Sequence, residues 1–281
     1  GIKQRFYAVN TKQEMTHTNA ELAQLSIQKL LAEALLPLQE LELLACATAS
    51  PDQVLPSHAS MVHGLLKNAP MEIFSASGIC LSCIQAFKIA YLSILAGNKR
   101  NAVCSCSELA SAGLLSKNFD VEYEKCANLG IQPYMALEKD FLRFMLSDGA
   151  SAVLLQDNPG KGKALHIEWV EMTSYANELP TCMFMGAEKE KNGELKSWKS
   201  FSSQELTDRS LFTVKQDIKL LERNAVPYWA KHIKYCLEKH NVAPESISYV
   251  LPHVSSMFFY DKIINELKGI GIGIDESKWF T

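Results

Sequence analysis

The 281-residue chain has no apolar run that reaches the roughly 18 residues needed to cross a bilayer, and no charged-then-apolar leader opens it. It also lacks a surplus of either charge: 28 basic residues against 31 acidic ones leave a net charge of −3. Such a balance argues against a nucleic-acid partner and an anionic membrane surface. The eight cysteines, at 46, 80, 83, 104, 106, 126, 182 and 236, contain neither two CxxC pairs nor a CxxC with paired histidines, so a structural zinc site is not expected. With 47% hydrophobic residues the chain can bury a substantial core and needs no disulfide staples. These absences predict a cytoplasmic protein without membrane or nucleic-acid contacts.

A length of 281 residues suits one large or two ordinary domains. The stretch around which the chain is organised is MEIFSASGICLSCIQAFKIAYLSILAG, Met71 to Gly97. Its apolar start (Met71, Ile73, Phe74) has strand length. Small residues follow, and Ile84, Phe87, Ala90, Tyr91 and Ile94 then recur at helical steps until Gly97 and Asn98. Strand, tight turn and helix place Cys80 at the helix N-terminus. Unpaired N–H groups and the positive end of the helix dipole favour an anion there. Thiols so placed have pKa values lowered from about 8.5 to between roughly 3.5 and 7.5. Cys80 is thus a candidate nucleophile, with the inert buried cysteine as the plainer reading. Cys80 and Cys83 also form one CxxC, and a redox dithiol is the rival chemistry.

In chain order, Gly1 to Gln13 reads as a loop or exposed arm. A helix is predicted from Asn19, as cap, to Leu36, with Pro37 ending it, and a doubly covered strand from Leu41 to Ala47. A Ser/Pro/Asp-rich loop leads to a helix at His58 to Leu66, whose His58 and His63 are read as solvated or locally bonded. A strand at Ala102 to Ser107 completes a βαβ crossover, pointing to a mainly parallel sheet. Glu108 to Lys139 reads as a surface excursion, and Asp148-Gly149 as a turn capped by Asp148 before a strand to Gln156. The composition break DNPGKGK, Asp157 to Lys163, marks a boundary. Beyond it come a strand at Leu165 to Met172, a solvated charge run KEKNGELKSWK, and a long helix from Thr213 to His240 kinked at Pro227. Finally a strand, Ile247 to Leu251, breaks at Pro252, placing His253 before a helix. In parallel sheets that edge is where ligands bind.

Taken together, Cys80 in ASGICLS, the QAFKIAYLSILAG helix, SELAS, FLRFMLSDGASAVLL and His253 in VLPHVSSM resemble the thiolase-fold condensing enzymes, nearest to the β-ketoacyl-acyl-carrier-protein synthase III group. The resemblance implies an α/β fold of five layers, α-β-α-β-α, built from a duplicated βαβαβαββ unit. Residues 1–160 would form the N-terminal half with the nucleophile, and 161–281 an incomplete C-terminal half with the catalytic His. It also implies that the first strand, the catalytic Asn and the Gly-rich loop fall outside this chain. Cys80 would take an acyl group from an acyl-coenzyme A or acyl-carrier-protein thioester. His253 would help bind and decarboxylate a malonyl extender. No permanently bound cofactor or metal is implied, and the expected partners are acyl carrier protein and a second copy in a homodimer. The condensation would be with a malonyl-type or β-ketoacyl thioester, in fatty-acid or specialised lipid or polyketide synthesis of the dialkylresorcinol or aryl-polyene type. A non-catalytic chain-length-setting partner and the CxxC redox protein are the alternatives.

Overall fold

The computed structural model describes residues 4–118, 145–158, 162–254 and 256–280. The chain divides into two compact units, one of Arg5–Asn118 and Leu146–Met172, the other including Thr173–Thr281.

In the first unit, helix α1 (Asn19–Glu33) precedes strand β1 (Leu43–Thr48), helix α2 (His58–Leu66), strand β2 (Glu72–Ser77), helix α3 (Ser82–Leu95), strand β3 (Asn101–Glu108), the single-turn helix α4 (Ala110–Gly113) and strand β4 (Gly149–Gln156). The four strands lie in the order β2-β1-β3-β4. β1 is parallel to both neighbours, pairing Leu43 with Glu72 and with Ala102, whereas β4 runs antiparallel to β3 with Asn101 opposite Gln156. All six residues of β1 are buried. The two-residue period of a strand divides them between the faces. Leu44 and Cys46 pack with Ala23 and Ile27 of α1 and Ala59 and Val62 of α2, while Leu43, Ala45 and Ala47 pack with Ala86 and Ala90 of α3. The result is helix, sheet, helix.

Capping fixes where these elements begin. Thr18 and Glu21 form a reciprocal capping box on α1, so the cap lies one residue before the expected Asn19. Asn19 instead donates from Nδ2 to Thr48 Oγ1 (2.8 Å) and to the Ser50 carbonyl (2.7 Å), tying α1 to the exit of β1. Asp148 does not cap the Asp-Gly turn. Its carboxylate accepts from the N–H of Ser111 in α4 (2.8 Å) and of Ala8 (2.6 Å), holding the N-terminal arm and α4 to the start of β4.

The second unit contains β5 (Met183–Phe184), β6 (Ala187–Lys189), β7 (Leu195–Ser197), α5 (Ser203–Asp208), β8 (Lys215–Gln216), α6 (Ile218–Lys239) and α7 (Tyr260–Gly269). Its core is Val226, Ala230 and Leu237 of α6 against Ile263, Ile264 and Leu267 of α7, with Ile272, Ile274 and Trp279. Pro227 sits inside α6, which begins at Ile218, after its Asp217 cap, rather than at Thr213. The charge run read as a loop is an antiparallel hairpin, with Glu188 opposite Lys196 and Gly193 at φ 89° in its turn. Asn192-Gly193 is the sequence signal for that turn. Neither predicted strand of this region forms a ladder among the described residues. The segment at Leu165 to Met172 leaves Leu165 95% exposed. Ile247 to Leu251 contributes one parallel bridge, Val250 to Trp279. A strand is stabilised by its partners, and apolar runs alone do not provide them. The predicted excursion beyond residue 118, part of the segment from Phe141 and part of the Asp157 to Lys163 boundary lie outside the described residues.

Because Leu44 is fully buried and Leu95 is 66% exposed, Leu44→Ala is expected to destabilise the protein by about 2 to 5 kcal/mol in urea unfolding followed by circular dichroism, and Leu95→Ala by no more than about 0.5 kcal/mol.

Candidate active site

The carboxyl ends of β1, β2 and β3 lie along one edge, and the reactive side chains of the first unit collect there. β2 ends at Ser77. Gly78 follows at φ 147°, a conformation suited to glycine, and Ile79 accepts a backbone bond from Ser82 (2.9 Å), closing the turn into α3. Cys80 stands in that turn, exposed, one residue before the N-cap Leu81.

The thiol is not activated as the position predicts. Desolvation raises the Cys80 pKa above its ordinary value, and the Glu108 carboxylate and Cys83 thiol push the same way against a bond from its own backbone. Lying outside the first helical turn, Cys80 receives less of the dipole, whose influence fades within that turn. At rest it is a thiol.

Cys83, one turn further in, belongs to a closed set of thiol contacts. The Cys83 thiol contacts that of Cys106, Cys106 contacts Cys104, and Cys104 Sγ donates to the Cys83 carbonyl at 3.8 Å. The contact with Cys104 and burial push Cys106 up to about 12 against the contact with Cys83, and the contact with Cys106 and burial push Cys83 higher still. Beside them a depression of about 280 Å³ is lined by Cys83, Cys106, Ser107, Glu108 and residues 149–151.

Glu108, the last residue of β3, escaped the sequence reading as a site residue. It accepts from the Ala49 N–H (2.7 Å), Ser50 Oγ (2.6 Å) and, more weakly, Thr48 Oγ1 (3.4 Å). Burial raises its pKa, and these bonds hold it down. The signal available was an acidic residue ending an otherwise buried strand. His58 also differs from the solvated or locally bonded side chain expected of it. It is 3% exposed, and Nε2 pairs with Ser107 Oγ at 3.0 Å. Nδ1 has no partner among the described residues. Desolvation lowers its pKa against the pull of Asp52, so the ring is neutral. His63 bonds locally, to the Ala69 carbonyl.

His253 belongs to the second unit. It is exposed, between the Val250 bridge and the 3₁₀ turn Met257–Phe259 that leads into α7, so the helix starts later than expected. A larger hollow of about 580 Å³ lies beside the end of α6, lined by Lys234, Leu237, Glu238, Asn241 and Ile270 among others. Among the described residues no three His, Cys, Asp or Glu side chains are grouped to hold a metal, and no helix is long and apolar enough to cross a membrane.

Over 94% of its length the chain superposes on a cysteine-to-serine variant of OleA from Xanthomonas campestris with bound lauric acid and lauroyl-CoA (TM-score 0.64, 17% identity, 68% of that chain). It superposes likewise on AbyA1, a tetronic acid condensing enzyme (TM-score 0.68, 22% identity, 96% of this chain and 74% of that one). The protein has the thiolase fold of the condensing enzymes. In sequence, the chain is similar to β-ketoacyl-[acyl-carrier-protein] synthase III of Aliarcobacter butzleri, 24% identical over 254 residues that cover 90% of it. It spans 65% of that relative's length. No family model matches the chain.

Neutral His58 makes folding pH-dependent. Its folded pKa lies below the unfolded value of about 6.5, so the stability this group provides is present above that pH and is lost as pH falls through the folded pKa. The thermal midpoint of the wild type is expected to fall more steeply on acidification than that of His58→Gln.

Proposed function

We propose that this protein is a carbon–carbon bond-forming acyltransferase of the β-ketoacyl synthase III type, with Cys80 as its acyl carrier. The observation that carries the reading is the placement of Cys80. Within a condensing-enzyme fold it is an exposed cysteine in the strand-to-helix turn at the carboxyl edge of a parallel sheet. Similarity to curated synthase III chains over most of the length supports the same class.

The chemistry is two acyl transfers. In the first, the Cys80 sulfur attacks the carbonyl of an acyl-coenzyme A or acyl-carrier-protein thioester, expelling the carrier thiol, which takes the proton that Cys80 gives up. Because Cys80 rests as a thiol, this step requires a proton acceptor as the sulfur attacks. In the second, a malonyl-type extender loses carbon dioxide, the resulting enolate attacks the Cys80 thioester, and the cysteine leaves as the β-ketoacyl product forms. A donor must stabilise the enolate oxygen. The resemblance assigns His253 to the extender, and its exposed ring is available to an incoming thioester. Residues 1–160 and 161–281 form the two halves of the duplicated unit in this reading. The enzyme works as a cytoplasmic homodimer supplied by acyl carrier protein, in fatty-acid or specialised lipid synthesis, without a permanently bound cofactor.

The dithiol alternative requires Cys83 to react as readily as Cys80, and the contact of Cys83 with Cys106 disfavours it. Intact-mass analysis after incubation with a panel of acyl-coenzyme A and acyl-carrier thioesters is expected to show one acyl increment, mapped to Cys80. Cys80→Ser should abolish it, while Cys83→Ser retains most of it; equal loss in both variants would point to the dithiol. A folded wild-type protein that takes no acyl group would favour the non-catalytic partner. For His253→Ala the mass increment should persist and decarboxylative condensation, followed by carbon dioxide release, should fail.

A further inference from the structure

The sheet of the first unit is unevenly covered on its α3 face. Directly opposite residues of an antiparallel pair share a face, so Gly149, Ser151 and Val153 of β4 stand beside Glu108, Cys106 and Cys104 of β3. Cys104 and Cys106 pack with Ala86 and Ala90 of α3, and Cys104 is only 3% exposed. The three β4 residues are exposed, Val153 at 47%. A Cβ added at Gly149 would meet nothing within 4 Å. Helix α3 thus covers β3 and leaves this side of β4 open, and the step between them is the depression of about 280 Å³ that Cys83, Cys106, Glu108, Gly149 and Ser151 help to line.

Cys80 lies within reach of it. Three residues of fully extended chain span at most about 11 Å, and the turn that the Ser82 N–H closes onto the Ile79 carbonyl makes the path from Cys80 to Cys83 shorter still. Ser151 apart, the side-chain polar atoms of the lining are already partnered. Glu108 Oε1 accepts from the Ala49 N–H and Oε2 from the Ser50 and Thr48 hydroxyls, the Ser107 hydroxyl pairs with His58, and the Cys83 thiol lies against that of Cys106. A hydroxyl or carboxyl group on an incoming chain would lose its water there and gain no partner in return. At about 30 Å³ for a water-sized group, a size that a methylene nearly matches, the depression holds about nine of them.

We propose that this depression seats the acyl chain carried by Cys80, that the chain it takes is saturated and short, up to about eight carbons, and that Ser151 sets its length. The inference rests on the reading of Cys80 as the nucleophile and adds a substrate class to it. A chain anchored at Cys80 runs onto the open face of β4, where it covers Gly149, Ser151 and Val153 and is itself removed from water. Burial of apolar surface on both sides drives the seating. The small side chains at 149 and 151 are what leave room for it, so bulk added at 151 competes with the chain for the same space.

Acylation of the full chain by acetyl-, octanoyl- and hexadecanoyl-coenzyme A, timed by intact mass, compares the wild type with Ser151→Leu. The wild type should take octanoyl at least about tenfold faster than hexadecanoyl, and Ser151→Leu should slow octanoyl by about tenfold or more while acetyl stays within about twofold. An octanoyl-to-acetyl ratio that the substitution leaves unmoved overturns the inference, as does a wild type that takes hexadecanoyl as readily as octanoyl. Equal slowing of both short donors overturns it too, because the substitution would then act on the turn and not on the chain. Should Ser151→Leu fail to fold by circular dichroism, Gly149→Leu, whose added Cβ has open space, takes its place with the same expected outcomes. Should no donor acylate the folded wild type, the reading of Cys80 falls, and octanamide, which needs no acyl transfer, decides the seat by saturation-transfer NMR. Its signal should be lost in Ser151→Leu, and equal signals in the two proteins overturn the inference.

Discussion

Every element of the first unit answers to β1, a strand with no exposed residue. A six-residue ladder buried on both faces must be hydrogen-bonded on both edges and covered above and below. β2 and β3 satisfy its edges, and α1 with α2 on one side and α3 on the other satisfy its faces. Because the strands that flank β1 run parallel to it, each must be reached by a crossover, and the chain re-enters a helix after β1 and again after β2 at the same edge. The reactive residues are therefore gathered by topology. Cys80 follows β2, Glu108 ends β3, and Thr48 and Ser50 close β1, although 60 positions separate Thr48 from Glu108.

That edge is also where the packing logic of the core stops. Along β3, Ala102, Val103 and Cys104 are fully enclosed, but the same strand ends in Ser107 and Glu108, whose polar atoms need partners. The structure supplies them from two directions, His58 from the α2 side and the β1 exit from the other. A buried polar group without a partner costs on the order of 1 to 3 kcal/mol. The pairings are consequently rigid, and the turn that carries Cys80 is built beside a framework already fixed by them.

Much of this was legible in the sequence. The α2 limits, the β2-turn-α3 unit and the covered β1 follow from periodicity, a preceding Ser57 cap and an unbroken apolar run. The location of Cys80 follows with them. What periodicity does not carry is the partner of a polar side chain. His58 reads as solvated or locally bonded because it and His63, five apart, fall on different parts of the helix surface, and only the register that brings Ser107 to it shows otherwise. Glu108 is invisible for the same reason, since its ligands lie near residue 50. The direction of the Cys80 pKa shift is not legible either, because helix position is local and desolvation is not. In the second unit, Ile247 to Leu251 has strand composition but a single bridge, since pairing is decided by what lies alongside.

The CxxC shows how tertiary contacts decide between chemistries that a motif leaves open. A dithiol needs its second sulfur free to attack the first. In α3 the Cys83 thiol lies against Cys106, Cys106 against Cys104, and Cys104 Sγ donates to the Cys83 carbonyl, so Cys83 is held at both its side chain and its backbone. Turning Cys83 towards Cys80 would open that set of contacts within a packed helix–sheet seam. Cys80 has no such restraint: it is exposed, in a turn, and its pKa is raised chiefly by desolvation against a bond from its own backbone. The two cysteines three residues apart thus fall into different physical classes, one a thiol packed in the helix–sheet seam and the other exposed in the turn before it.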